Sequence, residues 1–510
     1  MTEAVRNFHP GGWWWALALG ALVPYGIAFV LFWFQVPLGM PGRFVYLYSP
    51  IVNWRLAAVT GALLLAVLAA FGVWLMCDRV AAVRRVGLGL VAGALAGLGI
   101  WSYRAPPDHV NQHVFNMLSP SQDGAFLHEA LSVTDLRAYL ENFPQRARTP
   151  PEQMRGTRVI SNPPAATVLL YGLRRWVEAH GPWDWLFRGE LDVADPKTAE
   201  FRAQATLGLV FCWVATALWL ASGPVWYLIG RLYFAPAAAT AFAVCCVISP
   251  TTLLFTPGKD AAQLLSVSLP LWLWLLSWRR AAWWAGVASG ALFCVACTAS
   301  LAHIWVGLTI LAVCVWSAAR STGGLARLVV YTLIPAAVGV IIAAGSLRLL
   351  CGLDVMATAL AVAGSQGQVT RGAGAMPLAW QLLGIPLFLL LAGPGLWACL
   401  LRFMFGGGRT GCSSEPEARF GRYLLICVVV ALLATIGFTN VETPRLWMPF
   451  LPLLLLGLML QFPESREESA TTPRRLAGLV VAVTVFSALH WSLMDVREAE
   501  ARLLTDRFFW

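Results

Sequence analysis

Stretches of about 20 apolar residues recur along this chain, and they constrain its fold more than any other feature. A stretch of this length crosses the hydrocarbon core of a bilayer as a helix, which satisfies its own backbone hydrogen bonds there. Thirteen such stretches lie near residues 13–34, 55–77, 86–103, 203–229, 235–250, 262–278, 283–300, 303–318, 328–350, 378–404, 423–439, 446–461 and 476–493. The sequence therefore predicts an all-α polytopic membrane protein with 13 transmembrane helices.

Charged residues are scarce and unevenly distributed. Only 12% of the residues are charged, roughly half the fraction in soluble proteins, and 58% are hydrophobic. Residues 104–202 hold 23 charged side chains, whereas residues 203–318 hold five. This distribution indicates one polar insert in a membrane-embedded chain. It excludes a soluble enzyme, a nucleic-acid-binding domain despite the net charge of +10, and a disordered or fibrous protein.

Arginines in the short loops predict the orientation. The loops on the amino-terminal side of the membrane carry most of them: Arg79, Arg84, Arg85, Arg231, Arg279, Arg280, Arg320, Arg327, Arg402, Arg409, Arg419, Arg422, Arg474 and Arg475. The opposite short loops carry little beyond Arg43, Lys259, Arg371 and Arg445. Because cytoplasmic loops are enriched in Lys and Arg, the amino terminus is predicted to be cytoplasmic. With an odd number of spans, the carboxyl terminus is predicted to be extracytoplasmic.

The insert, residues 104–202, is predicted to be extracytoplasmic and to contain amphipathic helices that lie on the membrane surface. Residues 132–143 (SVTDLRAYLENF) open with a capping pattern, and their apolar positions follow one helical face. We expect Asp135 to be the N-cap of this helix. Residues 165–176 form a second apolar run, too short to span a bilayer, which follows Asn162-Pro163-Pro164.

Three ionisable residues on the predicted outer side are candidates for chemistry, because a charge at membrane depth is costly. Asp260 lies in the short turn TPGKDAAQ, directly after Lys259; the simpler interpretation is a solvated turn with a local ion pair. Asp123 in SPSQDGAFLHEA could be the N-cap of the helix that follows it. Arg445 in NVETPRLWMPFLP could be a snorkelling boundary residue or a clamp for a phosphate.

Other polar residues and motifs give weaker indications. His128 and Glu129 are expected to be surface or interfacial groups, and His303 a satisfied polar group. The sequence contains no Walker loop, no dinucleotide glycine fingerprint, no HExxH and no visible internal repeat. Cys294 and Cys297 are one helical turn apart, but no further ligand lies nearby, so we interpret them as core residues. No cofactor is expected, and no pattern indicates a divalent metal.

The order of these features resembles the GT-C superfamily, membrane glycosyltransferases that use polyprenyl-phosphate sugars and include the protein O-mannosyltransferases and the aminoarabinose transferase of lipid A. The resemblance covers about residues 86–461. It depends on the insert with its early Asp123, on the outer turn with Asp260, and on four segments: SNPPAATVLLYGLRRW, GRLYFAPAAATAFAVCCVISP, WRRAAWWAGVASGALF and RLWMPFLPLLLLGL.

The chain also departs from the family pattern. Many relatives have Asp-Glu where this chain has Asp123-Gly124, and His-Pro-Pro where it has Asn162-Pro163-Pro164. Two predicted spans precede the helix that usually comes first.

The resemblance implies a domain organisation and an activity. Residues 1–85 would form two N-terminal transmembrane helices, residues 86–461 a GT-C-like core, and residues 462–510 a cytoplasmic loop, the last transmembrane helix and an extracytoplasmic tail. The activity would be transfer of a sugar from a polyprenyl-phosphate donor to an extracytoplasmic glycan, lipid or protein, with inversion of the anomeric carbon, at a bacterial inner membrane. The expected partners are this donor, membrane lipid and an unidentified acceptor, and no nucleic acid.

The resemblance also implies roles for individual residues. Asp123 would be the catalytic base, and Asp260 would orient Lys259 or the sugar. Lys259 and Arg445 would bind the donor phosphate. Further candidates for substrate contacts are Glu129, Asn162, His303 and Glu442. We therefore expect Asp123, Asp260 and Arg445 to converge at the outer leaflet, with the two carboxylates within about 15 Å of each other, the reach of one donor headgroup.

Three alternatives remain open. A secondary transporter also combines many spans with sparse buried charge, although the absence of a repeat and the large polar insert weigh against it. A lipid-linked polymer ligase or polymerase is also a many-span protein, but its large loop typically comes late in the chain. A non-catalytic membrane scaffold would leave no distinguishing pattern.

Overall fold

The computed structural model is built almost entirely of helices. It describes residues 11–34, 38–39, 44–48, 117–118, 123–150, 153, 158–180, 196–256, 258–372, 378–405, 416–439, 443–462 and 472–498. Seven helical stretches in these ranges are long and apolar enough to cross a membrane: Ala203–Arg231, Pro236–Leu254, Lys259–Arg280, Ala302–Ala319, Gly324–Cys351, Leu382–Phe405 and Pro416–Ile436. The predicted class of helical membrane protein is confirmed.

The helices fall into an insert and a bundle. The first helix and the insert helices are α1 Gly11–Trp33, α2 Gly124–Ser132, α3 Leu136–Glu141, α4 Phe143–Ala147, α5 Arg158–Ser161 and α6 Ala165–Ala179. The next bundle helices are α7 Pro196–Arg231, α8 Pro236–Val247, α9 Pro250–Leu254, α10 Lys259–Arg280, α11 Trp283–Cys297, α12 Ala302–Ala319 and α13 Gly324–Leu328. A π-helical turn, Val329–Leu333, then leads into α14 Ile334–Cys351, α15 Val355–Gly372, α16 Leu378–Phe405, α17 Pro416–Thr439, α18 Thr443–Trp447, a 3₁₀ turn Met448–Phe450, α19 Leu451–Met459 and α20 Thr472–Leu493.

The predicted spans agree with these helices wherever the structure describes them. Each predicted span in the described ranges coincides with one helix or with consecutive helices. Four of these helices are apolar but shorter than the seven above: Ala18–Trp33, Trp283–Cys297, Arg445–Met459 and Gly478–Ser487. The predicted spans near 55–77 and 86–103 lie outside the described residues, so the total of 13 stays a prediction.

Helix α10 packs against α7 and α11 and carries its charges only at its two ends. Asp260 is in the first turn and Arg279 and Arg280 are in the last, which complements the helix dipole at both termini. The 22 residues of α10 extend about 33 Å, enough to span the hydrocarbon core. Because α7 and α11 pack along it, the buried α10 holds its amino-terminal turn in a fixed place.

Opposite ends of the bundle gather different groups. At one end, Arg279 forms an ion pair with Glu417 at 3.1 Å, and Arg327 donates a hydrogen bond to the backbone oxygen of Arg279 at 2.7 Å. At the other end, the insert contacts the bundle through a hydrogen bond from Ala165 N to Thr298 O at 2.9 Å. Residues predicted to share one side of the membrane therefore lie at the same end. The side that each end faces stays a prediction.

The insert is helical where the structure describes it, and the two segments singled out from the sequence are α3 and α6. The carboxylate of Asp135 caps α3 by accepting hydrogen bonds from the backbone N–H groups of Arg137 and Ala138, so the predicted cap is confirmed. Helices α2, α5 and α6 share a small apolar core with α7. This core attaches the insert to the bundle next to the start of α10.

Helix α15 was not predicted from the sequence. It packs against α4 and α5 of the insert, with Ala361 and Val362 buried against Phe143 and Ala147. The α15 segment VMATALAVAGSQGQVTRG is only weakly apolar, so it carries neither a spanning signal nor a strong amphipathic pattern. It nevertheless packs against the insert, at α4 and α5.

A small antiparallel sheet joins the two terminal regions of the chain. Strands β1 Leu38–Gly39, β2 Phe44–Tyr48 and β3 Met494–Glu498 lie in the order β1-β2-β3, with Phe44 opposite Glu498. This sheet is an addition to the predicted all-α architecture. It ties the segment after α1 to the end of α20.

Candidate functional site

A cluster of charged side chains lies where the insert meets the amino-terminal turn of α10. It consists of Asp123, Arg158, Lys259, Asp260 and Arg445, which we call the charge cluster. These five residues come from α10, α18 and two separate parts of the insert. Their side chains are only 9–16% exposed. Ions removed from water to this extent need partners, and the contacts within the cluster supply them.

Asp123 links the insert to the bundle. It occupies the N-cap position of α2, but its side chain makes no capping bond there. Its Oδ2 instead accepts a hydrogen bond from the backbone N–H of Lys259 at 3.0 Å, and its Oδ1 accepts one from Arg158 Nη1. The N-cap interpretation of Asp123 therefore named the right interaction but the wrong helix, because the carboxylate caps α10, 136 residues later.

Gly258 makes room for this contact. A Cβ atom at position 258 would lie 3.1 Å from Asp123 Oδ2 and 3.1 Å from the backbone oxygen of Phe255. That separation is shorter than ordinary van der Waals contact. A glycine before the first residue of α10 lets the carboxylate approach the helix terminus, where the dipole favours a negative charge.

Lys259 extends from the first turn of α10 towards the insert. Its ammonium group donates to Asn162 Oδ1 at 2.8 Å and lies 3.3 Å from Asp260 Oδ1. It also lies 5.4 Å from the centroid of the Phe126 ring, within the range of a cation–π interaction. Asn162, predicted as a substrate contact, is thus placed beside the ammonium group, and its own Nδ2 donates to the backbone oxygen of Arg158 at 2.9 Å.

Asp260 contacts two cations and one amide. Its Oδ2 lies 3.4 Å from Arg445 Nε, and its Oδ1 accepts a hydrogen bond from Gln263 Nε2 at 3.0 Å in addition to facing Lys259. The local Lys259–Asp260 pair expected from the sequence exists, but the turn is not solvated, since Asp260 is 16% exposed. Arg445, 185 residues later, completes the arrangement.

Packing around Trp447 fixes the position of Arg445. The indole N–H of Trp447 donates to Thr435 Oγ1 at 3.0 Å, and its ring makes an edge contact with Phe388 at 5.4 Å between centroids. Trp447 is buried and two residues from Arg445 in the short helix α18. The guanidinium is therefore held at Asp260 rather than extended as a mobile boundary residue. This placement argues against the snorkelling interpretation of Arg445, and the phosphate clamp stays a prediction.

His303 lies beside the charge cluster and has partners on both ring nitrogens. Its Nε2 is 2.8 Å from Ser266 Oγ, and its Nδ1 is 2.8 Å from the backbone oxygen of Ser300. A backbone oxygen can only accept, so Nδ1 carries a proton. Lys259, Gln263 and Ser266 follow one face of α10, which places His303 deeper than the charge cluster. The satisfied polar group expected from the sequence agrees with these contacts.

Glu129 lies in a separate ion pair inside the insert. Arg146 donates to both of its oxygens at 2.8 Å, through Nε and Nη2. Glu129 is buried, because α2 turns it towards α4 rather than outwards, so of the two expected places, surface or interfacial, it does not occupy the surface. Burial and the charge of Glu129 together raise the pKa of the neighbouring Tyr139 hydroxyl. We interpret the Glu129–Arg146 ion pair, which lies outside the charge cluster, as a stabilising contact that fastens α2 to α4.

Two members of this site were not identified from the sequence, and one candidate falls outside the structure. Arg158 and Gln263 had no motif of their own, although Arg158 precedes the Asn162-Pro163-Pro164 segment by one helical turn. Only the fold shows that they reach Asp123 and Asp260. Glu442 lies outside the described residues. Within the described ranges, no group of three or more His, Cys, Asp or Glu side chains is placed to hold a metal ion.

Comparisons with known proteins do not assign this site. No protein-family model matches the chain, and no curated protein matches it. A functional assignment therefore depends on the geometry of the charge cluster and on the sequence pattern.

Proposed function

We propose that this chain is a membrane glycosyltransferase that transfers a sugar from a polyprenyl-phosphate donor to an extracytoplasmic acceptor. The observation that supports this best is the meeting of three cations and two carboxylates at the end of a bundle of apolar helices. A lipid-linked phosphate needs cations for its phosphate, a carboxylate for the acceptor proton and an apolar flank for its chain. The charge cluster supplies the first two, and the bundle supplies the third.

The charge balance of the cluster suits one phosphodiester. Arg158, Lys259 and Arg445 carry three positive charges, and Asp123 and Asp260 carry two negative charges, so these five side chains together have a net charge of +1. A polyprenyl-phosphate sugar brings one negative charge as a phosphodiester. Its negative charge is opposite in sign to the net charge of these five side chains, and such an attraction is stronger where water is largely excluded.

The reaction would be a single displacement at the anomeric carbon. The acceptor hydroxyl loses its proton to the Asp123 carboxylate, and its oxygen forms the new bond to the anomeric carbon. The bond between that carbon and the phosphate oxygen breaks, and its electron pair stays on the departing phosphate. Lys259 and Arg445 stabilise this developing charge, and Asp260 holds both cations in place. Attack opposite the leaving group inverts the anomeric carbon.

A donor assay tests the proposal. The purified protein in proteoliposomes would be given a panel of polyprenyl-phosphate sugars, with water or an added envelope extract as acceptor, and released polyprenyl phosphate would be measured. We expect release with at least one donor and loss of release in Lys259→Met. Glu178→Gln, in an exposed ion pair of the insert, is the matched control and should retain release. Absence of release from every donor, or full release by Lys259→Met, would contradict the proposal.

The proposed location is a bacterial inner membrane, with the charge cluster on the extracytoplasmic side. Single cysteines at the exposed positions Arg148, in the insert, and Arg320, at the other end of the bundle, would test this orientation. An impermeant thiol reagent added to intact cells should label Arg148→Cys and not Arg320→Cys. The reverse pattern would overturn the orientation.

A further inference from the structure

We infer that Arg158 is an additional phosphate-binding residue, held by Asp123 until a phosphate arrives, so that phosphate binding uncovers the Asp123 carboxylate. The catalytic part of this inference rests on the proposed function. The binding part does not, because it concerns only the competition between a carboxylate and a phosphate for one guanidinium.

Each oxygen of Asp123 already accepts one hydrogen bond from the protein. Oδ1 accepts from Arg158 Nη1 and Oδ2 accepts from Lys259 N. Proton transfer to the Asp123 carboxylate would leave the Arg158 guanidinium buried without its counter-ion, which is costly. In the observed arrangement Asp123 is therefore poorly placed to act as a base, although the proposed reaction needs one.

Arg158 uses little of its capacity to donate hydrogen bonds. A guanidinium presents five N–H groups in a planar fork. Among the described residues, the side chain of Arg158 makes one hydrogen bond, through Nη1 to Asp123. Arg146, by contrast, engages both oxygens of Glu129. A one-point contact at 13% side-chain exposure leaves Nε and Nη2 of Arg158 available for a second anion.

The surroundings of Arg158 would direct such an anion to it. Asn162 joins the Lys259 ammonium group to the backbone of Arg158, since its Oδ1 accepts from Lys259 Nζ and its Nδ2 donates to the backbone oxygen of Arg158. Arg158 also lies close enough to Asp260 to interact with it electrostatically. Because Arg158 Nη1 and Lys259 N both contact the Asp123 carboxylate, a phosphate that binds Lys259 would meet Arg158 nearby.

The exchange leaves Asp123 anchored. When the guanidinium turns from Oδ1 to the phosphate oxygens, Oδ2 keeps its hydrogen bond to Lys259 N, so the carboxylate stays at the terminus of α10. Oδ1 is then free to accept the acceptor proton. The device makes the base available only when the donor is bound, which predicts ordered binding with the donor first.

A double-mutant cycle in phosphate binding tests this inference without an activity assay. The probe is a short-chain polyprenyl monophosphate, titrated against Asp123→Asn, Arg158→Gln and the double variant in detergent. Asp123→Asn keeps an acceptor for Lys259 N but loses the charge that holds Arg158, so the Kd should fall roughly 3- to 10-fold. Arg158→Gln should raise the Kd roughly 10-fold, and Asp123→Asn should give no gain in that background.

Matched variants and a second probe complete the experiment. The same cycle at Arg137 and Glu141, a one-point ion pair on the exposed face of the insert, should leave the Kd unchanged. If Arg158→Gln does not fold, Arg158→Lys is a second variant that keeps the positive charge. In the Arg158→Lys background, Asp123→Asn should still lower the Kd for the phosphate. Inorganic phosphate in place of the lipid tests whether the phosphoryl group alone is recognised; coupling with either phosphate supports the inference.

Two results would overturn the inference. One is a fall in Kd on Asp123→Asn that is also seen in the Arg158→Gln background. The other is binding that neither substitution changes. Failure of the proposed function can be told apart from failure of this inference. If the two substitutions are coupled in phosphate binding but no donor gives sugar transfer, the exchange at Arg158 stands and the glycosyltransferase proposal fails. If sugar transfer occurs but the two substitutions are not coupled, the glycosyltransferase proposal stands and the exchange at Arg158 fails.

Discussion

Two ion-pair arrangements, one inside the insert and one where the insert meets α10, differ in geometry. Glu129 and Arg146 form a two-point contact at 2.8 Å that uses both carboxylate oxygens. Asp260 instead lies 3.3 Å from Lys259 and 3.4 Å from Arg445, with each cation approaching a different oxygen. The first geometry is that of a completed bidentate bond, and the second is looser than charge-assisted hydrogen bonds usually are. We infer that Glu129–Arg146 joins α2 to α4, and under the proposed function we expect the contacts at Asp260 to rearrange around a ligand.

The largest expected difference between the two arrangements concerns catalysis. Asp123→Asn should reduce the rate of sugar transfer by about 10²- to 10⁴-fold, because the base for the acceptor proton is lost. The Arg158 contact predicts tighter donor binding in this variant. Single-turnover transfer and donor titration on the same preparation would measure both. Near-normal turnover would make Asp123 a helix cap and no more.

Loss of Arg445 should affect binding rather than stability. Arg445→Ala is expected to weaken binding of a polyprenyl phosphate by roughly 10- to 100-fold, because a charge-assisted contact to the phosphate already acts in the ground state. Arg146→Ala provides the comparison and should leave the Kd within a factor of about two, the scatter expected for a residue outside the site. Equal losses in both variants would remove the distinction between the two arrangements.

Loss of Arg146 should affect stability rather than binding. Arg146→Ala leaves the carboxylate of Glu129, which is 8% exposed, without its partner. Removing one partner of a fully buried pair costs about 3–5 kcal/mol; because Arg146 is 38% exposed, we expect about 2 kcal/mol here. The midpoint of thermal unfolding in detergent should fall accordingly. Glu129→Gln with Arg146→Ala should recover part of the loss, and an unchanged midpoint in Arg146→Ala would contradict the fastening role.

The smallest expected effect tests the approach of Asp123 to α10. Gly258→Ala introduces a Cβ 3.1 Å from Asp123 Oδ2, so the carboxylate has to move by a few tenths of an ångström. We expect turnover to fall by roughly 3- to 10-fold, since small displacements of a catalytic group are costly. Gly172→Ala in α6, where an added Cβ meets nothing within 4 Å, is the matched control and should keep full turnover. Equal turnover in both variants would show that the contact is not critical.

The sequence predicted the helices of the bundle better than it predicted the connections between them. Long apolar runs specify membrane helices locally, so the positions of α7, α10, α12, α14, α16 and α17 followed from hydropathy and length. Helix α15 and the β1-β2-β3 sheet escaped prediction, because neither has a strong local pattern. Both are stabilised by partners far away in sequence: α15 by the insert, and β2 by the segment after α20.

The same division applies to the candidate site. Asp123, Lys259, Asp260 and Arg445 stood out in the sequence because ionisable residues near apolar spans are rare and costly. Their contacts could not be predicted, since Asp123 reaches across 136 residues to Lys259 and Arg445 across 185 residues to Asp260. Glu129 was also selected from the sequence, but it lies outside the charge cluster, because its carboxylate forms an ion pair with Arg146.

The sequence by itself determined that this chain is a helical membrane protein with a polar insert and a few ionisable residues beside its apolar helices. The length of an apolar stretch and the energetic cost of an ionisable residue beside it are local properties, so both can be judged from consecutive residues. Only the tertiary structure decided that Arg158 holds Asp123 and that the carboxylate caps α10 rather than α2. Which charges meet depends on how α10, α18 and the insert pack together, and this packing depends on contacts spread over the whole chain.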